Sequence, residues 1–161
     1  MLHLTDVLLL GDHRLRDRCE PVTGNDLNSM AEILPGLHNI IIEFQAKYQA
    51  GRAIAAPQVG YMKRLVYMYI DKPVVFINPR FTYLSEEKFT LWDDCMSFPN
   101  LLVQLERHRF CTLEFFDLNF EKHAWHLSDG LAELMQHEVD HLDGILAIDR
   151  ALNKEAFRWK N

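Results

Sequence analysis

Between residues 64 and 127 the chain carries a succession of short runs rich in β-branched and aromatic residues, and helical periodicity appears only on either side of them. This order constrains the fold more than any other feature. Segments 64–70 and 74–77 read as strands around a turn at Asp71-Lys72-Pro73. Segments 81–84, 101–106, 110–116 and 123–127 read as further strands with turn residues between them. Residues 25–49 read mainly helical, because Leu37, Ile40, Ile41 and Phe44 recur at helical spacing, with Asn25 or Asp26 as the cap. Pro35-Gly36 interrupts that pattern and could split it into a short helix and a longer one. Ser128-Asp129 introduces a second helix reaching about Leu142, stopped by Asp143-Gly144. Strands in the middle and a helix at each end predict an α+β fold, with helices packed on antiparallel sheet. No repeat or linker divides the 161 residues, so one domain over 1–161 is expected.

The second helix carries His137-Glu138-Val139-Asp140-His141. Residues four apart share a helix face, so both imidazoles can converge on one ion while Glu138 sits beside it to move a proton. The spacing matches the HExxH signature of metal-dependent hydrolases. Solvated surface histidines would give the same spacing; Asp140 could pair with a basic neighbour and Gln136 could face solvent. A catalytic site needs a third protein ligand and an open position. Cys95, in the turn-like stretch Trp92-Asp93-Asp94-Cys95-Met96-Ser97-Phe98-Pro99, is the modest favourite. Cys111 reads as strand core and Cys19 as a loop thiol. Three cysteines without paired spacing argue against a disulfide framework and for a reducing cytoplasm. His3, His13, His38, His108, His123 and His126 stand at no metal spacing to the cluster and read as surface or strand residues.

A net charge of −6 argues against strong binding to nucleic acid or an anionic membrane. No apolar run approaches the roughly 20 residues that span a bilayer. The first residues carry neither a basic stretch nor a cleavage site of the signal-peptide kind, and a cytoplasmic location is expected.

Three segments together resemble the peptide deformylase family. Gly51-Arg52-Ala53-Ile54-Ala55-Ala56-Pro57-Gln58 is similar to its first motif, Asp93-Asp94-Cys95-Met96-Ser97 to its second, and Gln136-His137-Glu138-Val139-Asp140-His141 to its third. Asp12-His13-Arg14-Leu15-Arg16, Ile77-Asn78-Pro79 and Arg107 also fit, so the resemblance spans roughly 6–150. It implies that Cys95, His137 and His141 hold one divalent metal, natively ferrous iron, with zinc, nickel or cobalt able to substitute. It implies attack by metal-activated water on a formyl carbon, with Glu138 as general base and then acid, and Gln58 and the Met96 N–H as oxyanion donors. The expected substrate is an N-formylated peptide, formyl-methionyl above all, or a related small molecule. The resemblance also implies that Gly51, Arg52, Ala53, Ile54, Glu133 and Leu134 contact substrate, while Asp93 and Arg107 support the site as an ion pair.

The departures are informative. Asp93 stands for a glutamate and is about one methylene shorter, so its pair with Arg107 could shift or need a water. Asp94 stands for a glycine and would be strained if its φ were positive, and its charge could reach the metal or solvent. Ala53 stands for a second glycine and Arg52 for an apolar residue. Glu133 lies on the stripe of His137 and His141, in a region where the family places apolar residues to receive methionine. That carboxylate would disfavour an apolar guest unless it were paired or turned aside, and Arg52 is the candidate partner. These changes suggest a pocket more polar than the family's standard one. They keep open a relative acting on another, more polar N-acyl compound, or a metal-binding homologue without turnover. The short stretch after Arg150 does not support ribosome contact, and Lys154, Arg158 and Lys160 are expected on a solvated helix face.

Overall fold

The computed structural model describes residues 1–160. Two α-helices and eight strands build four layers among the described residues. Helix α1 (Leu27–Tyr48) covers one face of a five-stranded antiparallel sheet, and helix α2 (Asp129–Leu142) covers the other. That sheet has the order β1 (Ala53–Ala55), β2 (Leu65–Tyr69), β3 (Pro73–Leu84), β6 (Phe110–Phe116) and β7 (Lys122–Ser128). A three-stranded sheet of β4 (Lys88–Asp93), β5 (Leu101–His108) and β8 (Phe157–Trp159) lies beyond α2.

Period-two alternation assigns the two faces. Val66 and Met68 point toward α2, while Leu65 and Tyr67 point toward α1. Phe76 and Ile77 divide in the same way. Helix α2 thus lies between two sheets, and residues 132–142 of it are all buried. A helix enclosed on all sides has no solvent face for polar side chains, so each one on α2 must find a partner inside the protein.

The α+β architecture agrees with the sequence reading, and several local expectations are corrected. Pro35 does not split α1. Pro35 and Ala31, whose carbonyl loses its helical donor, both lie on the exposed side, so that oxygen is not left in the core. Gly36 is buried, and a Cβ there would come within 2.8 Å of Leu2. Asp26 occupies the N-cap, but its carboxylate accepts from the Thr23 N–H at 2.7 Å and closes the preceding turn. Segments 74–77 and 81–84 are parts of one strand, β3, which bulges at Asn78-Pro79. Asn78 takes φ 51 there, and its amide bonds both the N–H and the carbonyl of Val22, at 2.8 and 2.9 Å. Cys19 does lie in a loop, but it is buried there and donates its backbone N–H to the Leu142 carbonyl. His38 is helical, on α1, beside the Tyr67 hydroxyl at 2.9 Å. The C-terminal basic residues lie on no helix face: Arg158 is in β8, which pairs with β5. No helix among the described residues is long and apolar enough to cross a membrane.

Candidate metal centre

The site forms where α2 meets the turn after β4 and the turn after β1. Helical spacing sets the two imidazole Nε2 atoms of His137 and His141 3.2 Å apart. The turn leaving β4 carries Cys95 inward, and its Sγ lies 3.3 Å from His141 Nε2. All three ligand atoms fall within 4.8 Å of one another, and all three residues are buried. Around one tetrahedral ion with ordinary metal–nitrogen and metal–sulfur lengths, neighbouring ligand atoms stand about 3.3–3.6 Å apart. The set therefore fits a single divalent ion, and the mixed thiolate–imidazole chemistry suits several such ions.

A charged network orients the first imidazole. His137 Nδ1 lies 2.9 Å from Asp93 Oδ2, which also accepts from Arg107 Nη2 at 3.0 Å. With Nδ1 donating to the carboxylate, Nε2 keeps its lone pair for a metal. Asp93 therefore reaches Arg107 directly, with no shift or bridging water, although it is the shorter acid. Arg107 also donates to Asp140 at 2.6 Å, and Asp140 accepts from Arg150 Nε and Nη2 at 2.6 and 2.7 Å. Asp140 is thus paired twice. Burial works against charge on Asp93, but His137 and Arg107 outweigh it and hold the carboxyl well below the usual range. Gln136 does not face solvent: it is buried and bonds both the N–H and the carbonyl of His108, at 2.9 and 2.8 Å, tying α2 to β5.

Glu138 is 4 % exposed, and its Oε2 has no hydrogen-bond partner in the protein. Burial pushes its carboxyl up to about 7. A buried oxygen left free beside three convergent ligand atoms is what a proton-transferring carboxylate requires. Gln58 stands in the turn after β1, held by its Oε1 accepting from the Ala55 N–H at 3.0 Å. Its Nε2 lies 3.1 Å from Ser97 Oγ and 3.5 Å from Cys95 Sγ. Among the described residues no acceptor takes the Met96 backbone N–H.

Cys95, Met96, His137, Glu138 and Gln58 open on one cleft that Gly51, Arg52, Ala53, Glu133 and Leu134 also line. Arg52 Nη2 donates to Glu133 Oε1 at 2.5 Å. Ile54 does not line the cleft. It alternates with Ala53 on β1 and is fully buried on the α1 side of the sheet. Asp94 does line it, has no positive φ, and pairs with Lys160. Phe44 of α1 also lines the cleft. Its place on the apolar stripe of α1 marks it only as core, and no residue pattern separates this role from packing.

The polypeptide deformylase family model matches residues 4–157. A peptide deformylase of Chlorobaculum parvum is 35% identical over 148 residues, covering 86% of this chain and 75% of that protein. One of Thermotoga maritima is 34% identical over 145 residues, covering 89% and 85%. The crystal structure of a Thermotoga maritima peptide deformylase superposes with a TM-score of 0.80 at 32% identity, over 91% of this chain and 97% of that one. An actinonin-bound class I type b peptide deformylase from Acinetobacter baumannii gives 0.81 at 31% identity, over 90% and 96%.

Proposed function

The chain belongs to the polypeptide deformylase family, and on that premise we propose that it hydrolyses the formamide of an N-formylated peptide or related small molecule, releasing formate and a free amine. The family is one of metalloenzymes. The observation that carries the reading is convergence: Cys95, His137 and His141 meet at one point, and Cys95 and His137 share one cleft with Gln58, Met96 and Glu138, whose Oε2 is unpartnered. A divalent ion bound there supplies Lewis acidity toward a water and toward the formyl oxygen.

The protein's own groups do the rest. Glu138 takes the proton of the attacking water as the new carbon–oxygen bond forms, then passes it to the amine nitrogen as the carbon–nitrogen bond breaks. Gln58 Nε2 and the Met96 N–H donate to the oxygen on which negative charge develops. Asp93, fixed by Arg107, keeps His137 in its ligating tautomer.

The test is formate release from N-formyl peptides by protein loaded anaerobically with ferrous iron. Glu138→Gln should lower kcat about 10²–10⁴-fold, the usual span for a general acid–base group, with metal content unchanged. A loaded wild type that releases no formate from any N-formyl substrate would remove the reading, and so would a fully active Glu138→Gln. A second reading, a relative acting on a different and more polar N-acyl compound, is favoured by the Arg52–Glu133 pair in the cleft wall.

A further inference from the structure

One turn of α2 before His137, the cleft wall carries a carboxylate and a guanidinium in contact. The rise from residue 133 to residue 137 is about 6 Å along the helix. A side chain borne on the carbon next to a formylated nitrogen reaches that far from the reacting centre. Whatever the cleft holds at this distance meets Arg52 and Glu133.

The two partners are not equally available. The Glu133 side chain is 11 % exposed and its Oε1 is occupied by Arg52. The Arg52 side chain is 44 % exposed. It donates one N–H to Glu133 and one to the Gly130 carbonyl at 3.1 Å, which fixes the plane of the guanidinium. Of the five N–H donors an arginine carries, the remainder have no acceptor among the described residues. Among the described residues Arg52 is also the one arginine or lysine lining the cleft, since Lys160, which neutralises Asp94, stands outside it. Glu133 therefore orients and Arg52 receives. A cationic guest would have to displace Arg52 from a nearly closed carboxylate. An apolar guest would strip water from a guanidinium and return no hydrogen bond. A carboxylate would find unused donors on a guanidinium already held in place, so less ordering is lost when it binds.

We propose that Arg52, held by Glu133, selects formamides whose neighbouring side chain ends in a carboxylate, in preference to formyl-methionine. The inference rests on the deformylase reading and deepens it. The experiment compares kcat/KM of the iron-loaded enzyme on formyl-Glu, formyl-Gln, formyl-Met and formyl-Lys dipeptide amides. Formyl-Glu should exceed formyl-Met at least tenfold, with formyl-Gln between them and formyl-Lys lowest. The double variant Arg52→Leu, Glu133→Leu removes both charges of the pair together and leaves neither unpaired, and it should reverse the order toward formyl-Met. Arg52→Lys should keep the order with a smaller ratio. Calorimetry adds a readout independent of turnover: N-acetyl-Glu amide should bind wild type at least tenfold more tightly than N-acetyl-Met amide, and the double variant should lose that difference. Formyl-Met or formyl-Lys turned over as well as formyl-Glu would overturn the proposal and leave the deformylase reading standing. Absence of turnover on every formyl substrate would sink both.

Discussion

Arg107 shows what single residues contribute to this centre. Its side chain is 2 % exposed and it lies between two buried carboxylates, Asp93 on the metal side and Asp140 on the far side. The pair with Asp93 was legible in the sequence, because the second motif supplies an acid and Arg107 follows at a suitable distance. A basic partner for Asp140 was also legible, but not that Arg107 and Arg150 both supply it, because the residue facing the back of α2 depends on how the three-stranded sheet packs against it. The same holds at Ile54, where one position of strand alternation decides between cleft and core. Removing one partner of a buried ion pair typically costs about 3–5 kcal/mol, since the other charge is left uncompensated. Arg107→Met should therefore lower unfolding stability by about that amount in urea titration, with the slope of the transition unchanged. A loss below about 1 kcal/mol would show that the network is solvated and does not fix Asp93.

Among the elements, α2 was read to the residue because three signals agreed: a turn residue before it, a consistent helical pattern and a glycine after it. The strands missing from the reading lack such agreement. β1 is only three residues, two of them alanine, and β8 is three exposed ones. β4 does alternate Phe89 and Leu91 against Thr90 and Trp92, and that signal could have found it. β3 was divided because Asn78-Pro79 has the composition of a turn, whereas the asparagine tolerates a positive φ and turns the sequence signal into a bulge. The stop of α2 is stricter. Gly144 has φ 72, and a Cβ there would stand 2.3 Å from the Arg16 carbonyl oxygen, a backbone atom that cannot rotate aside. The left-handed conformation alone costs a substituted residue about 1–2 kcal/mol, and the clash adds to it. Gly144→Ala should cost at least about 2 kcal/mol and, for a domain of this size, lower Tm by at least about 4 °C in calorimetry. An unchanged Tm would mean that the segment holding Arg16 is free to move away from the end of α2.

At the scale of the whole molecule, the ligand set joins parts of the chain that no backbone ladder connects. His137 and His141 belong to the helix between the sheets, whereas Cys95 hangs from the end of β4 in the three-stranded sheet. The small core beneath that sheet, with Cys95, Phe98, Val103, Leu105 and Ala147, is separate from the two cores on the faces of the larger one. An ion held by all three ligands therefore fastens the lesser sheet to the helix that the larger sheet supports. The unfolded chain has no preformed site, so binding free energy adds to folding free energy. Metal at about one hundred times its dissociation constant stabilises by about 2.7 kcal/mol, which for a domain of this length is a rise in Tm of about 5–10 °C. Calorimetry on iron-loaded protein with and without a chelator should show that difference. Cys95→Ser should bring the two scans together, because a single hydroxyl ligand loses the thiolate charge while the packing around it is nearly conserved. Coincident scans for the wild type would mean that the three side chains stand together for some reason other than an ion. The geometry would then be a buried polar cluster, and Glu138 would have no water to activate.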